Sequence, residues 1–185
     1  MILIDADIIA YRASASCMPS KQRDWEEPEG IALARLDESM HKIMGTLEID
    51  EYTAFITGTE NFRYALYPEY KANRKDLIPP KWLNSCKEYL VSEWDTKITY
   101  QYEADDAIGI WKTKYPDAII ATIDKDLKQI PGKFFDFVKL ELHDISENEA
   151  NFNFWAQMLI GDRSDNIPGI YGIGPVKARN LLSLE

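Results

Sequence analysis

The chain has 185 residues, with 31 Asp plus Glu against 21 Lys plus Arg and a net charge of −10. That length suits one domain with a small appendage, and 45% hydrophobic with 28% charged residues excludes a disordered chain. The acidic balance argues against a partner held by bulk positive charge, whether nucleic acid or an anionic membrane. Two cysteines with no CxxC and two histidines exclude a disulfide framework and a Cys- or His-rich zinc site.

In chain order, residues 2–4 read as a short buried strand ending at Asp5. Asp5 and Asp7 break the apolar run that a signal peptide needs, and no stretch is long enough to span a membrane, so a cytoplasmic protein is expected. The polar stretch 20–30 reads as a loop. Apolar residues at helical spacing predict a helix over 31–47, and strands follow over 52–56 and 97–100. Residues 104–114 read as a helix whose first turn holds acids, 118–122 as a strand, and 133–138 with 140–143 as a hairpin. A helix over 148–160, a turn-rich stretch over 161–174 and a last helix over 175–182 complete the chain. Strands alternating with helices predict an α/β fold with a mostly parallel sheet covered on both faces. The predicted division is a main core over 1–150, with an insertion at about 58–98, and a small element over 151–185.

The placement of the acids matters more than their number. Asp5 follows the first strand, Asp124 and Asp126 follow the strand at 118–122, and Glu103, Asp105 and Asp106 open the helix at 104. Asp162 and Asp165 lie on the loop after the 148–160 helix. Any one of these alone reads equally well as a helix cap or turn residue. Together, at the carboxyl ends of parallel strands where open α/β sheets bind ligands, they form a crevice of eight carboxylates that must be protonated or neutralised by cations. An all-oxygen donor set selects Mg²⁺ or Mn²⁺, and a pair of such ions ~4 Å apart is the clamp used for displacement at phosphate.

Residues 158–182, MLIGDRSDNIPGIYGIGPVKARNLL, place Gly172 and Gly174 just before a helix starting at Pro175. This reads as a glycine turn whose backbone N–H groups and helix N-terminus grip a phosphate, with Lys177 and Arg179 adding positive charge. Between residues 58 and 90 six basic residues face four acidic ones, interleaved with Phe62, Tyr64, Tyr67, Tyr70, Trp82 and Tyr89. Charge with aromatics suits a single-strand path, although Trp82 and Tyr89 fall at helical spacing with Cys86 and read equally as core.

Four blocks in order, ILIDAD at 2–7, YKANR at 70–74, YEADD at 102–106 with TIDKD at 122–126, and GDRSDNIPGIYGIG at 161–174, resemble the 5′-nuclease superfamily. That superfamily includes flap endonucleases, bacteriophage 5′→3′ exonucleases and the 5′-nuclease domain of bacterial DNA polymerase I. The resemblance implies a PIN-like sheet with a helical arch and a helix–two-turn–helix element at about 153–182 that grips duplex DNA and holds a K⁺ ion. It implies that Asp5, Glu103, Asp105, Asp106, Asp124, Asp126, Asp162 and Asp165 ligate two Mg²⁺ or Mn²⁺ ions directly or through water. It further implies that Lys71 and Arg74 stabilise the scissile phosphate and that Tyr70 stacks on a terminal base. Two positions depart from the pattern. FITG at 55–58 puts Thr57 where an acid is usual, and the chain stops at Glu185, where relatives continue with further helices.

The expectation is a structure-selective, metal-dependent 5′ nuclease acting on duplex DNA with a 5′ end or 5′ flap, with RNA primers paired to DNA as a further substrate. A monomer is expected, working in a bacterial or phage-infected cell beside a replication polymerase. A PIN-type ribonuclease and a non-catalytic DNA-structure-binding protein are the alternatives. On this reading the acidity is no obstacle to a DNA partner, because setting the eight ligands aside leaves a net charge of only −2.

Overall fold

A computed structural model describes residues 1–21 and 23–183. Gln22, in the predicted 20–30 loop, and residues 184–185, at the end of the predicted 151–185 element, lie outside the described residues. The centre is a six-stranded sheet in the order β3-β2-β1-β4-β5-β6, comprising β1 (Ile2–Asp5), β2 (Tyr52–Thr57), β3 (Lys97–Thr99), β4 (Ile119–Ala121), β5 (Gly132–Asp136) and β6 (Glu141–Ile145). The first five strands pair in parallel and only β5–β6 is antiparallel, as the hairpin reading expects.

β1 is buried along its whole length between β2 and β4. Its alternation sends Ile2 and Ile4 into one hydrophobic cluster and Leu3 into the other. The first cluster is closed by helices α1 (Ala6–Ala15), α2 (Glu29–Leu47) and, later in the chain, a helix at Leu83–Glu93. The second is closed by the helices at Ala104–Lys114 and Glu147–Ile160. Both faces are therefore covered, and the parallel strands carry continuous apolar runs.

α1 has no counterpart in the sequence reading. Its ADIIAYRASA stretch is dominated by small and aliphatic residues and shows no clear polar face, yet Ala6, Ile9, Ala10 and Ala13 are buried at helical spacing. Asp5 ends β1 and caps α1 in the same residue, its Oδ1 accepting from the Ile8 N–H at 3.4 Å, so no loop intervenes.

The 58–98 connection divides in two. A short helix, α3 (Arg63–Leu66), and a 3₁₀ turn at Ala72–Arg74 fold over the carboxyl edge of the sheet, whereas α4 (Leu83–Glu93) joins the helical layer through buried Cys86 and Leu90. Trp82 donates its indole N–H to the Glu27 carbonyl and Tyr89 its hydroxyl to Asp37, so both are packing residues and line no strand path. α5 (Ala104–Lys114) begins with a capping box between Glu103 and Asp106.

After α6 (Glu147–Ile160) the chain forms a tight two-stranded ladder, β7 (Gly161–Asp162) with β8 (Ile167–Pro168), then a turn and α7 (Pro175–Leu182), which packs back on α6. At Gly169 a Cβ would lie 2.1 Å from the Ile160 carbonyl group, closer than any side chain tolerates. Gly169→Ala must open the ladder. We expect a loss of about 2 kcal/mol or more in urea unfolding, against little change for Gly30→Ala, whose Cβ would meet nothing.

Candidate active site

The strand order reverses at β1: the chain goes from β1 to β2 and β3 on one side and then crosses to β4 on the other. This is the topological switch point at which α/β sheets leave a crevice. Asp5 leaves β1 there, Asp124 and Asp126 follow β4, and Glu103, Asp105 and Asp106 open α5 from the β3 side. The resulting cleft, about 620 Å³, is lined by Asp5, Asp7, Glu103, Asp105, Asp124, Asp126, Asp162 and Asp165, with Arg12, Lys71, Arg74, Lys87 and Lys125 among them. Seven of the eight expected acids therefore share one cavity. Asp106 lines the adjoining one, about 460 Å³, across a shared wall of Glu103, Asp105, Asp126, Asp162 and Asp165.

The acids fall into two electrostatic classes. One class is held by cations. Arg63 grips Asp106 with two bonds of 2.6 and 2.8 Å, Lys71 meets Glu103 at 2.5 Å, Arg74 meets Asp165 at 2.7 Å, and Lys125 meets Asp126 and Asp162. Burial alone would raise the Asp106 carboxyl, but Arg63 and the Glu103 N–H outweigh it and hold it below the usual range. The same contest, with Lys125 on the winning side, lowers Asp162.

The second class is Asp5, Asp105 and Asp124, which have no ion pair among the described residues. Burial, then the charges of Asp7 and Asp124, push Asp5 up to about 7 against the bond it accepts from Thr122. Burial and the neighbouring Asp5, Asp124 and Glu103 raise Asp105 well above the ordinary carboxylate range. Burial also raises Asp124. Among the described residues no three acidic, His or Cys side chains are gathered closely enough to hold an ion as they stand. The donor chemistry nonetheless fits a hard divalent ion, since the inner trio is all oxygen and makes no ion pair.

Two sequence blocks about ninety residues apart meet as one unit. The Lys71 N–H donates to the Asp165 carbonyl, Asn73 to the Arg163 carbonyl, Arg74 Nε to the Ser164 carbonyl, and Asn166 to the Glu69 carbonyl. Tyr70 is 3% exposed, and its hydroxyl, with one proton shared between them, lies 2.8 Å from both Glu103 Oε2 and Asp165 Oδ2. A ring so buried presents no face to a terminal base, so the expected stacking role is corrected to a tether between two acids. Lys71 and Arg74 lie in the cleft as expected. Gly172 has φ of +75°, Gly174 caps α7, and Lys177 and Arg179 are exposed on that helix.

The structure also brings in residues to which the sequence reading gave no place among the site residues. Asp7, on the first turn of α1, accepts from the Thr57 N–H and from Lys87 of α4, each at 2.8 Å. Thr57, where the resemblance implied an acid, accepts at its hydroxyl from the Ala104 N–H at 2.9 Å, capping α5. Asp7 thus brings a carboxylate to Thr57 from the neighbouring helix. Its signal lay in the ILIDAD block, but without α1 its direction was not legible. Arg63 enters the sequence reading only as one of six basic residues, and only the fold shows it on Asp106.

With this geometry in place, comparison with known proteins is informative. The family described as 5′-3′ exonuclease, N-terminal resolvase-like domain, matches residues 1–153. The chain belongs to this family. DNA polymerase I of Borreliella burgdorferi is 35% identical over 149 residues, covering 69% of this chain and 16% of the polymerase. The flap endonuclease Xni of Shewanella pealeana is 32% identical over 139 residues, covering 67% of this chain and 54% of that protein. The chain thus spans about half or less of the length of these relatives. Among solved structures, the bacteriophage T5 D15 flap endonuclease, in a pseudo-enzyme-product complex with DNA and metal ions, superposes with a TM-score of 0.76 at 15% identity, over 98% of this chain and 74% of that one. The likeness establishes a shared fold. Among the described residues no helix is long and apolar enough to cross a membrane.

The two acid classes pull stability in opposite directions with pH. Asp5 titrates from 3.8 unfolded to about 7 folded, so its contribution is greatest below pH ~4 and is lost as pH rises through about 7. Asp106 and Asp162, held below 3.8, contribute above that value and lose it in stronger acid. With chelator present, thermal melting should therefore peak at about pH 5 and fall toward pH 8. A flat profile from pH 5 to 8 contradicts the inner trio.

Proposed function

We propose that the chain is a structure-selective, divalent-metal-dependent 5′ nuclease. It would hydrolyse phosphodiester bonds of DNA at a free 5′ end or 5′ flap, and of RNA primer paired to DNA, leaving a 5′-phosphate and a 3′-hydroxyl. The observation that carries this reading is the convergence of three strand ends and the 162–165 loop on one cleft, where unpaired acids face lysines and arginines.

Asp5, Asp105 and Asp124 are assigned as inner ligands, and Glu103, Asp106, Asp126, Asp162 and Asp165 as outer ones, directly or through water. Two Mg²⁺ or Mn²⁺ ions there would supply an activated water and Lewis-acid stabilisation of the leaving 3′ oxygen. The chain's own residues do the positioning. Lys71 and Arg74, now engaged with Glu103 and Asp165, stand in the cleft where they can take the charge of the scissile phosphate. Tyr70 keeps Glu103 and Asp165 in register. Its hydroxyl is raised by burial and by both acids, so it stays protonated and donates throughout.

Away from the cleft, Gly172, Gly174 and the start of α7, with Lys177 and Arg179, suit a sequence-independent hold on a duplex backbone. Carbonyls of that turn are assigned to a K⁺ ion. We place the protein in the cytoplasm as a monomer working beside a polymerase, in keeping with its polymerase I relatives.

The test is product mapping on a 5′-flap duplex and on single-stranded RNA, with Mg²⁺ or with EDTA. Asp124→Asn with Asp126→Asn should lower flap cleavage by more than about 100-fold and largely spare DNA binding. Full activity of the double variant defeats the assignment. Preference for RNA would move the reading to a PIN-type ribonuclease, and flap binding without cleavage by the unaltered chain to a non-catalytic binder.

A further inference from the structure

Lys125 differs from the other cations of the cleft. Its Nζ lies 2.9 Å from Asp126 Oδ1 and 3.2 Å from Asp162 Oδ2, so, like Lys71 between Glu103 and Asp165, it spans two acids delivered by different segments. Its side chain is 71% exposed, whereas Lys71 is 19%, Lys87 32% and Arg74 46% exposed. An ammonium on a flexible four-carbon stem pays entropy to stay in one place, and water competes for it.

The Asp162 carboxylate and the Asp126 backbone are fixed without Lys125. Asp162 Oδ1 accepts from the N–H groups of Ser164 and Asp165 at 2.6 and 3.2 Å, and Oδ2 accepts from Gln157 at 2.8 Å. Asp126 starts a 3₁₀ turn and its N–H donates to Asp124 Oδ1 at 2.8 Å. Asp162 is preset by three other bonds, Asp126 is placed by its turn, and the exposed Lys125 is the removable contact between them. Being next to Asp126 in the chain, it stays within reach after it lets go.

We propose that Lys125 is a tethered competitor for the outer of the two ion positions, which an ion must displace to reach Asp126 and Asp162. The inference rests on the metal reading above. It sets an order of filling: the inner trio, with no lysine or arginine on it, binds first, and the Lys125 position binds second and more weakly. It also gives a residue that no metal-ligand assignment includes a defined effect on metal affinity.

The test is titration of the full DNA-free chain with Mn²⁺, followed by calorimetry and by the resonance signal of free Mn²⁺. The unaltered chain should show a tighter and a weaker class. Lys125→Met keeps the stem at an exposed position and should tighten the weaker class about fivefold, the tighter one staying the same. Lys125→Arg should stay weak. Lys87→Met removes another cation of the same cleft, one that sits on Asp7, and should leave the weaker class unchanged. After ¹³C-methylation of the lysines, the Lys125 signal should move only as the second class fills.

Equal tightening by Lys87→Met would mean a general field effect and overturn the proposal. So would an unchanged or weaker second class in Lys125→Met, or a Lys125 signal that moves with the first class. If no protein in the set binds Mn²⁺, the metal reading itself falls, and this inference with it.

Discussion

Mutual repulsion among carboxylates gathered at a single switch point is the constraint around which this molecule is arranged. A parallel sheet whose order reverses between β1 and β4 leaves a crevice at its carboxyl edge, and the chain fills that crevice with acid from β1, β4 and α5. Left in water such groups would separate. Here they are held by two covered sheet faces, by a helix that starts at the residue where a strand ends, and by a capping box that fixes the α5 acids.

The molecule handles the repulsion unevenly. The outer acids other than Asp126 are given cations from other segments, and these pairs also serve as fold contacts. Arg63 ties α3 to α5, and Lys71 and Arg74 tie the 67–74 segment to Glu103 and the 162–165 loop. The inner acids are left without an ion pair, and folding raises their pKa values. A site that only needed to be stable would neutralise all of them. Leaving three unpaired costs stability in the metal-free protein and creates affinity for a cation.

Much of this was legible in the sequence. The alternation of strand and helix, the acids after strands, and the 161–174 block each depend on local spacing. The helices over Ala104–Lys114 and Pro175–Leu182 sit where the pattern places them. What escaped reading depends on packing. α1 packs on β2, α2 and α4 and, apart from Asp7, Tyr11 and Arg12, is built of small and aliphatic residues, so its pattern shows no clear polar face. Without α1, Asp7 had no direction. Tyr70 sits in a recognisable motif, yet its burial against Glu103 and Asp165 comes from the meeting of segments about ninety residues apart. Lys125 lies inside the TIDKD block, but no local pattern tells a lysine facing water from one that bridges two acids.

The most direct test of this account is the melting temperature of Asp105→Asn against the unaltered chain at pH 8, with chelator and with Mg²⁺. Asp105 is partly buried among like charges. If the inner acids repel and await an ion, the substitution raises the metal-free melting temperature and removes most of the gain that Mg²⁺ gives the unaltered protein. A fall in the metal-free melting temperature, with the Mg²⁺ gain intact, would show a carboxylate already satisfied within the fold and would contradict the account.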